Sequence, residues 1–265
     1  MPELTPLDLS LLAAAAALVG LSKTALPGAG TIAVAVFAAV LPARSSTGAL
    51  LVLLIVGDLF AVWSYHAHAD WATLRRMVPA VLAGIGVGAL FLAIADDAAV
   101  RRVIGVILLA LVAVTLLRRA GARRRERRTG ALETGARDAA GAPITSGAGR
   151  RVDTGAYGVL AGFTTMVANA GGPVMSLYFL ASRFSINQFL GTAAWFFLAV
   201  NLAKTPFSIS LGLISAGSLR LDLVLAPAVV VGALIGRRLA RRINQKLFDR
   251  LVLTLTILSA SYLLV

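Results

Sequence analysis

Long apolar runs separated by short polar or glycine-rich breaks dominate the chain. In the first half they cover Leu7–Ser22, Gly30–Leu41, Thr47–Tyr65, Leu74–Ile94 and Ala98–Leu117. After a polar stretch they resume as Gly155–Ala168, Pro173–Ala181, Gln188–Leu211, Leu221–Ala240 and Leu247–Leu264. The runs are continuous and do not alternate with period two, which predicts helices and argues against a β-barrel. Several approach the roughly 20 residues that a helix needs to cross a bilayer. The second run of each set is too short to span alone and fits a half-helix or one arm of a re-entrant hairpin. The expected fold is therefore all-α, a polytopic helical membrane protein of two repeats of about five segments each, with broken or re-entrant half-helices.

Two interruptions fall at corresponding places. The first reads Gly20-Leu21-Ser22-Lys23-Thr24-Ala25-Leu26-Pro27-Gly28-Ala29-Gly30, and the second runs from Gly162 through Thr164, Thr165, Asn169 and Gly171 to Gly172-Pro173. Unwound backbone inside a bilayer survives only where protein buries it or where it lines a wet cavity, so paired breaks point to a transporter's substrate site. Other matches support a repeat. Pro79, Gly84 and Gly88 recur with identical spacing as Pro227, Gly232 and Gly236, Gly48 pairs with Gly191, and at that offset Asp58 falls opposite Asn201. The organisation expected is a first transmembrane repeat over 1–118, a cytoplasmic basic linker over 119–154, and a second repeat over 155–265. The stretch Gly121–Asp153, rich in Arg, Gly, Ala and Thr, reads as a flexible solvated linker.

Composition agrees with a membrane protein: 58% of residues are hydrophobic and 14% charged, and mean hydropathy is +0.87. Soluble domains carry about 25% charged residues. The formal charge of +13 raises the question of nucleic acid, but the basic residues flank apolar runs instead of forming a folded face, so no nucleic-acid partner is expected. Anionic lipid headgroups are the expected contact of the Arg-rich linker. With no cysteine, disulfides, thiolate metal sites and cysteine nucleophiles are excluded. Leu7–Leu26 reads as a retained first segment, since it lacks a basic n-region and an obvious cleavage site.

Charge also sets the orientation. Arg118, Arg119, Arg123, Arg124, Arg125, Arg127 and Arg128 follow the fifth run directly, which marks the cytoplasmic side. Counting back puts Arg75 and Arg76 inside and Asp96 and Asp97 outside. Counting forward through five crossings puts Arg237, Arg238, Arg241, Arg242 and Lys246 inside. Corresponding loops thus face opposite sides, so the repeats are expected to be inverted, with both termini outside. Arg101 and Arg102, near an outer end, would snorkel or pair with Asp96 and Asp97.

Few ionisable residues lie deep. Lys23 sits at the first break, where a charge near the bilayer centre costs at least ~2.5–3.5 kcal/mol and is by default a functional candidate. Gly28, Gly30 and Thr31 open the next half-helix, and Gly171, Gly172 and Pro173 open its counterpart. Such helix N-termini, with exposed N–H groups and close backbone approach at glycine, suit an oxyanion. The expected substrate-binding set is Lys23, Pro27, Gly28, Gly30, Thr31, Asn169, Gly171 and Gly172, with Asn169 as amide donor. Asp58 and Lys204, equally deep in corresponding spans, are expected to face each other, either as a structural ion pair or as a switchable polar pair for proton or substrate. Asn201, three residues before Lys204, shares its helix face. Thr165 stands where Lys23 stands in the first break, so the site is expected to be lopsided, with charge on one side only. His66 and His68 point to different sides of a helix and are not expected to hold a metal. Trp63, Tyr65 and Trp71 suit an interfacial belt, and Trp195, Phe196 and Phe197 read as packing residues.

The Gly20–Gly30 break with Pro27 and its paired glycines, its echo at Asn169–Pro173, and the Pro79/Gly84/Gly88 pattern resemble the sulfite exporter TauE/SafE family of membrane permeases. The resemblance covers nearly the whole chain except the linker. It implies a multi-pass carrier of the bacterial inner membrane that moves small anions, often sulfur oxyanions or organosulfonates. The first break has Pro27-Gly28-Ala29-Gly30 where an uninterrupted glycine run is common in that family. The function expected is a secondary transporter, not an enzyme, coupled to an ion gradient. No nucleotide-binding phosphate loop occurs, and no cofactor is expected. A homodimer is compatible with the sequence. A passive anion channel is the alternative. An intramembrane enzyme is a weaker one, because such a site would want clustered carboxylates, histidines or arginines within the spans.

Overall fold

The computed structural model describes residues 4–27, 29–96, 98–100, 147–169, 171–182 and 184–245, with a few further positions within 102–106 and 247–254. Among them the chain is all-helical. Helix α1 (Pro6–Thr24) opens on a capping box: Asp8 N–H donates to Thr5 Oγ1 at 3.2 Å and Thr5 N–H donates to Asp8 Oδ2 at 3.0 Å. Helices α2 (Gly30–Val40) and α3 (Ala43–Tyr65) follow, with a 3-10 turn over His66–His68. Asp70 caps α4 (Trp71–Ile94) by accepting from the N–H groups of Ala72 and Thr73 at 3.0 Å each. The second half contains α5 (Gly147–Ala168), α6 (Gly171–Ala181), α7 (Ile186–Ser210) and α8 (Ala216–Ala240). Helix α5 starts inside the stretch expected to be linker, where no proline follows Pro143 to stop it. The fifth and tenth apolar runs lie largely outside the described residues, and the Arg118–Arg128 cluster wholly so.

Among the described residues five helices, Pro6–Thr24, Ser45–His68, Trp71–Ile94, Ile186–Ser210 and Ala216–Ala240, are long and apolar enough to cross a membrane. At a rise of about 1.5 Å per residue, the 11 residues of α2 and of α6 reach only about half of a ~30 Å hydrocarbon core. Apolar side chains such as Leu82, Leu90, Leu223 and Ile235 remain exposed, as they must be where the solvent is lipid.

Helix packing follows the small residues. The most extensive pairings are α4 with α5 and α1 with α8. A Cβ on Gly232 would collide with the Ala17 carbonyl, and one on Gly20 with the Val229 carbonyl. In the other pair, a Cβ on Gly84 would strike the Val159 carbonyl and one on Gly162 the Val81 carbonyl. Only glycine lets these backbones touch, and in a bilayer such contact is what holds helices together. The core accordingly has two lobes. One gathers α1, α2, α3 and α8 around Leu12, Ala16, Phe37, Leu53 and Val229. The other gathers α4 to α7 around Met77, Ile85, Met166, Phe179 and Phe196. Between the lobes α3 lies against α7 in opposite directions: Gly48, near the start of α3, meets Leu213 beyond the end of α7, and Gly191, near the start of α7, meets Tyr65 and His68.

Candidate functional site at the helix breaks

Each break is a helix C-terminus with a carbonyl that accepts from a side chain of another helix. At the first, α1 closes with the N–H groups of Ala25 and Leu26 on Leu21 O at 2.9 and 3.3 Å, and the Tyr65 hydroxyl donates to Thr24 O at 2.9 Å. The Thr24 hydroxyl reaches Ala233 O at 3.0 Å and so ties the break to α8. Gly30 starts α2 directly over Ser22, where a Cβ would lie 2.8 Å from its hydroxyl oxygen, and among the described residues no side chain caps the α2 N-terminus.

At the second break Asn169 takes a left-handed conformation, φ 51°, which asparagine tolerates better than most residues. Its N–H donates to Thr165 O at 3.1 Å, and its Nδ2 donates to Thr47 O at 3.0 Å. Its Oδ1 accepts a short hydrogen bond from Lys204 Nζ, which also donates to Thr165 O at 2.9 Å. The amide expected to serve as a free donor is thus engaged by the protein at both ends.

The charged residues pair differently from the sequence expectation. Asp58, fully buried, lies 2.7 Å from Lys23 Nζ and not against Lys204, and its second oxygen accepts from Asn201 Nδ2 at 2.5 Å. The offset that aligned Asp58 with Asn201 in sequence also makes them neighbours in space, because antiparallel α3 and α7 cross near that level. Lys204, one turn further along α7, points to the α5 terminus instead. The expectation of charge at one break only is therefore corrected. Thr165 does occupy the place of Lys23, but Lys204 carries an ammonium to the second break from another helix.

One pocket of about 50 Å³ joins both breaks. Ser22, Lys23, Pro27 and Gly30 line it from the first break, and Thr165, Asn169 and Gly172 from the second. Leu54 of α3 and Ala193, Ala194, Phe197 and Asn201 of α7 complete the wall. Gly171 lies just outside it, packed so close to Thr165 that a Cβ would stand 3.0 Å from that residue's own. Gly28 and the side chain of Thr31 lie outside the described residues. Asp58 and Lys204 form the buried layer beneath the wall. Phe197, expected only to pack, carries Lys23 Nζ over its ring at 4.4 Å from the centroid. A signal was available in the spacing, since Phe197, Asn201 and Lys204 share one face of α7. Gly57 also matters: a Cβ there would press to 3.1 Å on Lys23 Cγ, so glycine gives the lysine stem its path.

No curated protein and no solved structure matches the chain. The profile of the family described as Sulfite exporter TauE/SafE matches residues 12–263, nearly all of it. With apolar spans, paired helix breaks and a shared pocket between them, this multi-pass membrane protein belongs to the sulfite exporter TauE/SafE family.

Proposed function

We propose that this protein is a secondary transporter for a small anion, a sulfur oxyanion or organosulfonate, coupled to an ion gradient. The observation that carries the reading is the convergence of both helix breaks on one pocket with Lys23 in its wall. Lys23, the open N-terminus of α2 and the Gly172 backbone would hold the oxyanion end. Leu54, Ala193, Ala194 and Phe197 would cover a small apolar body. Gly28, Thr31 and Gly171 would shape the two half-helix starts.

Coupling follows from charge. Lys23 and Asp58 together are neutral, so an anion that takes Lys23 as counter-ion leaves a buried carboxylate without its own. Uncompensated buried charge is strongly unfavourable. A proton delivered to Asp58 as the anion arrives removes the conflict and makes the two travel together. Asn201 would hold the carboxyl in place through the exchange, and the Lys204–Asn169 contact would keep the second break closed. The inverted arrangement expected from the charges is supported by three packing features. The α1–α8 pair and the α4–α5 pair each run parallel. The α3–α7 pair runs antiparallel, and each lobe borrows a helix from the other half of the chain. On this arrangement the ends of α3 and α8 share a side, with Arg237 over the Trp63 ring at 4.4 Å. Arg75, Arg76, Arg237, Arg238, Arg241 and Arg242 then share the cytoplasmic face of a bacterial inner membrane, with both termini opposite.

Uptake into proteoliposomes tests the reading. Sulfite, thiosulfate or a short sulfonate should accumulate under an imposed proton gradient, and absence of flux under any gradient would defeat it. Flux far above carrier rates without gradient coupling would indicate a channel instead. Lys23→Met should weaken anion affinity by roughly 10- to 100-fold, the equivalent of one charge-assisted hydrogen bond of about 1.5–3 kcal/mol.

A further inference from the structure

A second cavity, outside the pocket at the breaks, lies between α4 and α7 with a volume of about 340 Å³. Its position reflects unequal packing. Helix α8 packs along α3, but α4 touches α7 only sparsely and leaves a groove between them. The floor is apolar, formed by Val81, Ile85, Phe196 and Val200 among others. Val78 and Leu82 on its α4 side are about half exposed, so the groove opens to the surface where the protein meets lipid.

One end differs from the rest. Trp71 and Trp195 lie with ring centroids 5.2 Å apart, and Arg75, one turn after Trp71, lines the same end with its Nε donating to Trp71 O at 3.3 Å. The guanidinium is exposed and has four further N–H donors. The Trp195 indole N–H is buried with no hydrogen-bond partner among the described residues. Tryptophan and arginine at the mouth of an apolar groove match a lipid's own order: ester and phosphate at the interface, acyl chain beneath. Arg76 adds a second positive charge beside the mouth.

We propose that this groove is a binding site for an anionic phospholipid, with one acyl chain between α4 and α7 and the phosphate on Arg75. The charge at the mouth chooses an anionic headgroup over a zwitterionic one. The volume falls in the range of about 300–1,000 Å³ typical of sites for small molecules. A lipid seated there would hold α4 away from α7 within the second lobe.

The test uses the full chain carrying Trp63→Phe, which leaves Trp71 and Trp195, both at the groove, as the only tryptophans of the three. It is reconstituted in phosphatidylcholine bilayers containing increasing fractions of dibrominated phosphatidylglycerol or dibrominated phosphatidylcholine, and tryptophan quenching is followed. Half-maximal quenching should occur at about fivefold lower mole fraction for the anionic lipid, as expected for one basic residue near a membrane surface. Arg75→Gln should abolish that preference, Arg75→Lys should keep part of it, and Ala203→Phe, which fills the groove, should remove the saturable component. Equal quenching by both lipids, or a preference that survives Arg75→Gln, would overturn the proposal. So would absence of quenching, which would place another part of the chain or a second copy in the groove.

Discussion

Replacing Lys23 with methionine keeps most of the stem that passes Gly57 and removes the ammonium 2.7 Å from Asp58. Asp58 has no solvent exposure, so it would remain a buried carboxylate with Asn201 as its hydrogen-bond donor. Breaking a buried pair from one side costs about 3–5 kcal/mol. The low end applies, because Asn201 stays and the Lys23 side chain is 11% exposed at the pocket. For a chain of this size each kcal/mol shifts Tm by about 2–4 °C, so the variant should melt roughly 6–12 °C lower. Adding Asp58→Asn removes the stranded charge while preserving shape, and the double variant should recover to within about 1 kcal/mol of the parent, since neutral replacements of a buried pair are often near-neutral. Melting followed by intrinsic fluorescence in detergent gives all three values. The reasoning fails if Lys23→Met melts with the parent, or if the double variant is no more stable than the single one.

Other expectations concern packing and the pocket. Gly232→Leu should prevent folding or lower Tm steeply, because its Cβ collides with the Ala17 carbonyl, whereas Gly86→Ala, with nothing within 4 Å, should be neutral or stabilise by about 0.5–1 kcal/mol. A melting comparison of the two separates close approach from mere helix propensity. Asp222 is 2% exposed with no hydrogen-bond partner for either oxygen among the described residues, so Asp222→Leu should raise stability by about 1–3 kcal/mol, read as a higher Tm. A lower Tm would show that the carboxyl is held by an interaction essential to the fold. Phe197→Leu removes the ring beneath Lys23 and should weaken anion affinity by about 2- to 30-fold, the equivalent of about 0.5–2 kcal/mol for a cation–π contact, measured by flux against substrate concentration.

The sequence by itself determined the elements. Apolar runs bounded by glycine, proline and capping residues predicted every described α-helix above to within about five residues, except the start of α5, because a bilayer admits only internally bonded helices to such runs. The short second run of each set, the paired breaks and the matching glycines were all visible in one dimension. The glycines at positions 84, 88, 232 and 236 could be recognised as packing residues by type, though their partners on α5 and α1 could not.

Only the tertiary structure decided which deep charges meet. Lys23, Asp58 and Lys204 lie on three different helices, and linear offset cannot say which two faces turn together when α3 and α7 cross. Equal depth favoured Asp58 with Lys204, while the repeat offset set Asp58 opposite Asn201. The fold gives Asp58 to Lys23 and Asn201, and sends Lys204 to Thr165 and Asn169 at the other break. A single break with a lysine and another without one thus became two breaks with an ammonium each, one within the broken segment and one delivered from α7. The physical reason is that a half-satisfied polar group in a dry interior is costly, so whichever helix can reach a loose carbonyl supplies the donor. That choice depends on rotation and depth, which no run of residues records.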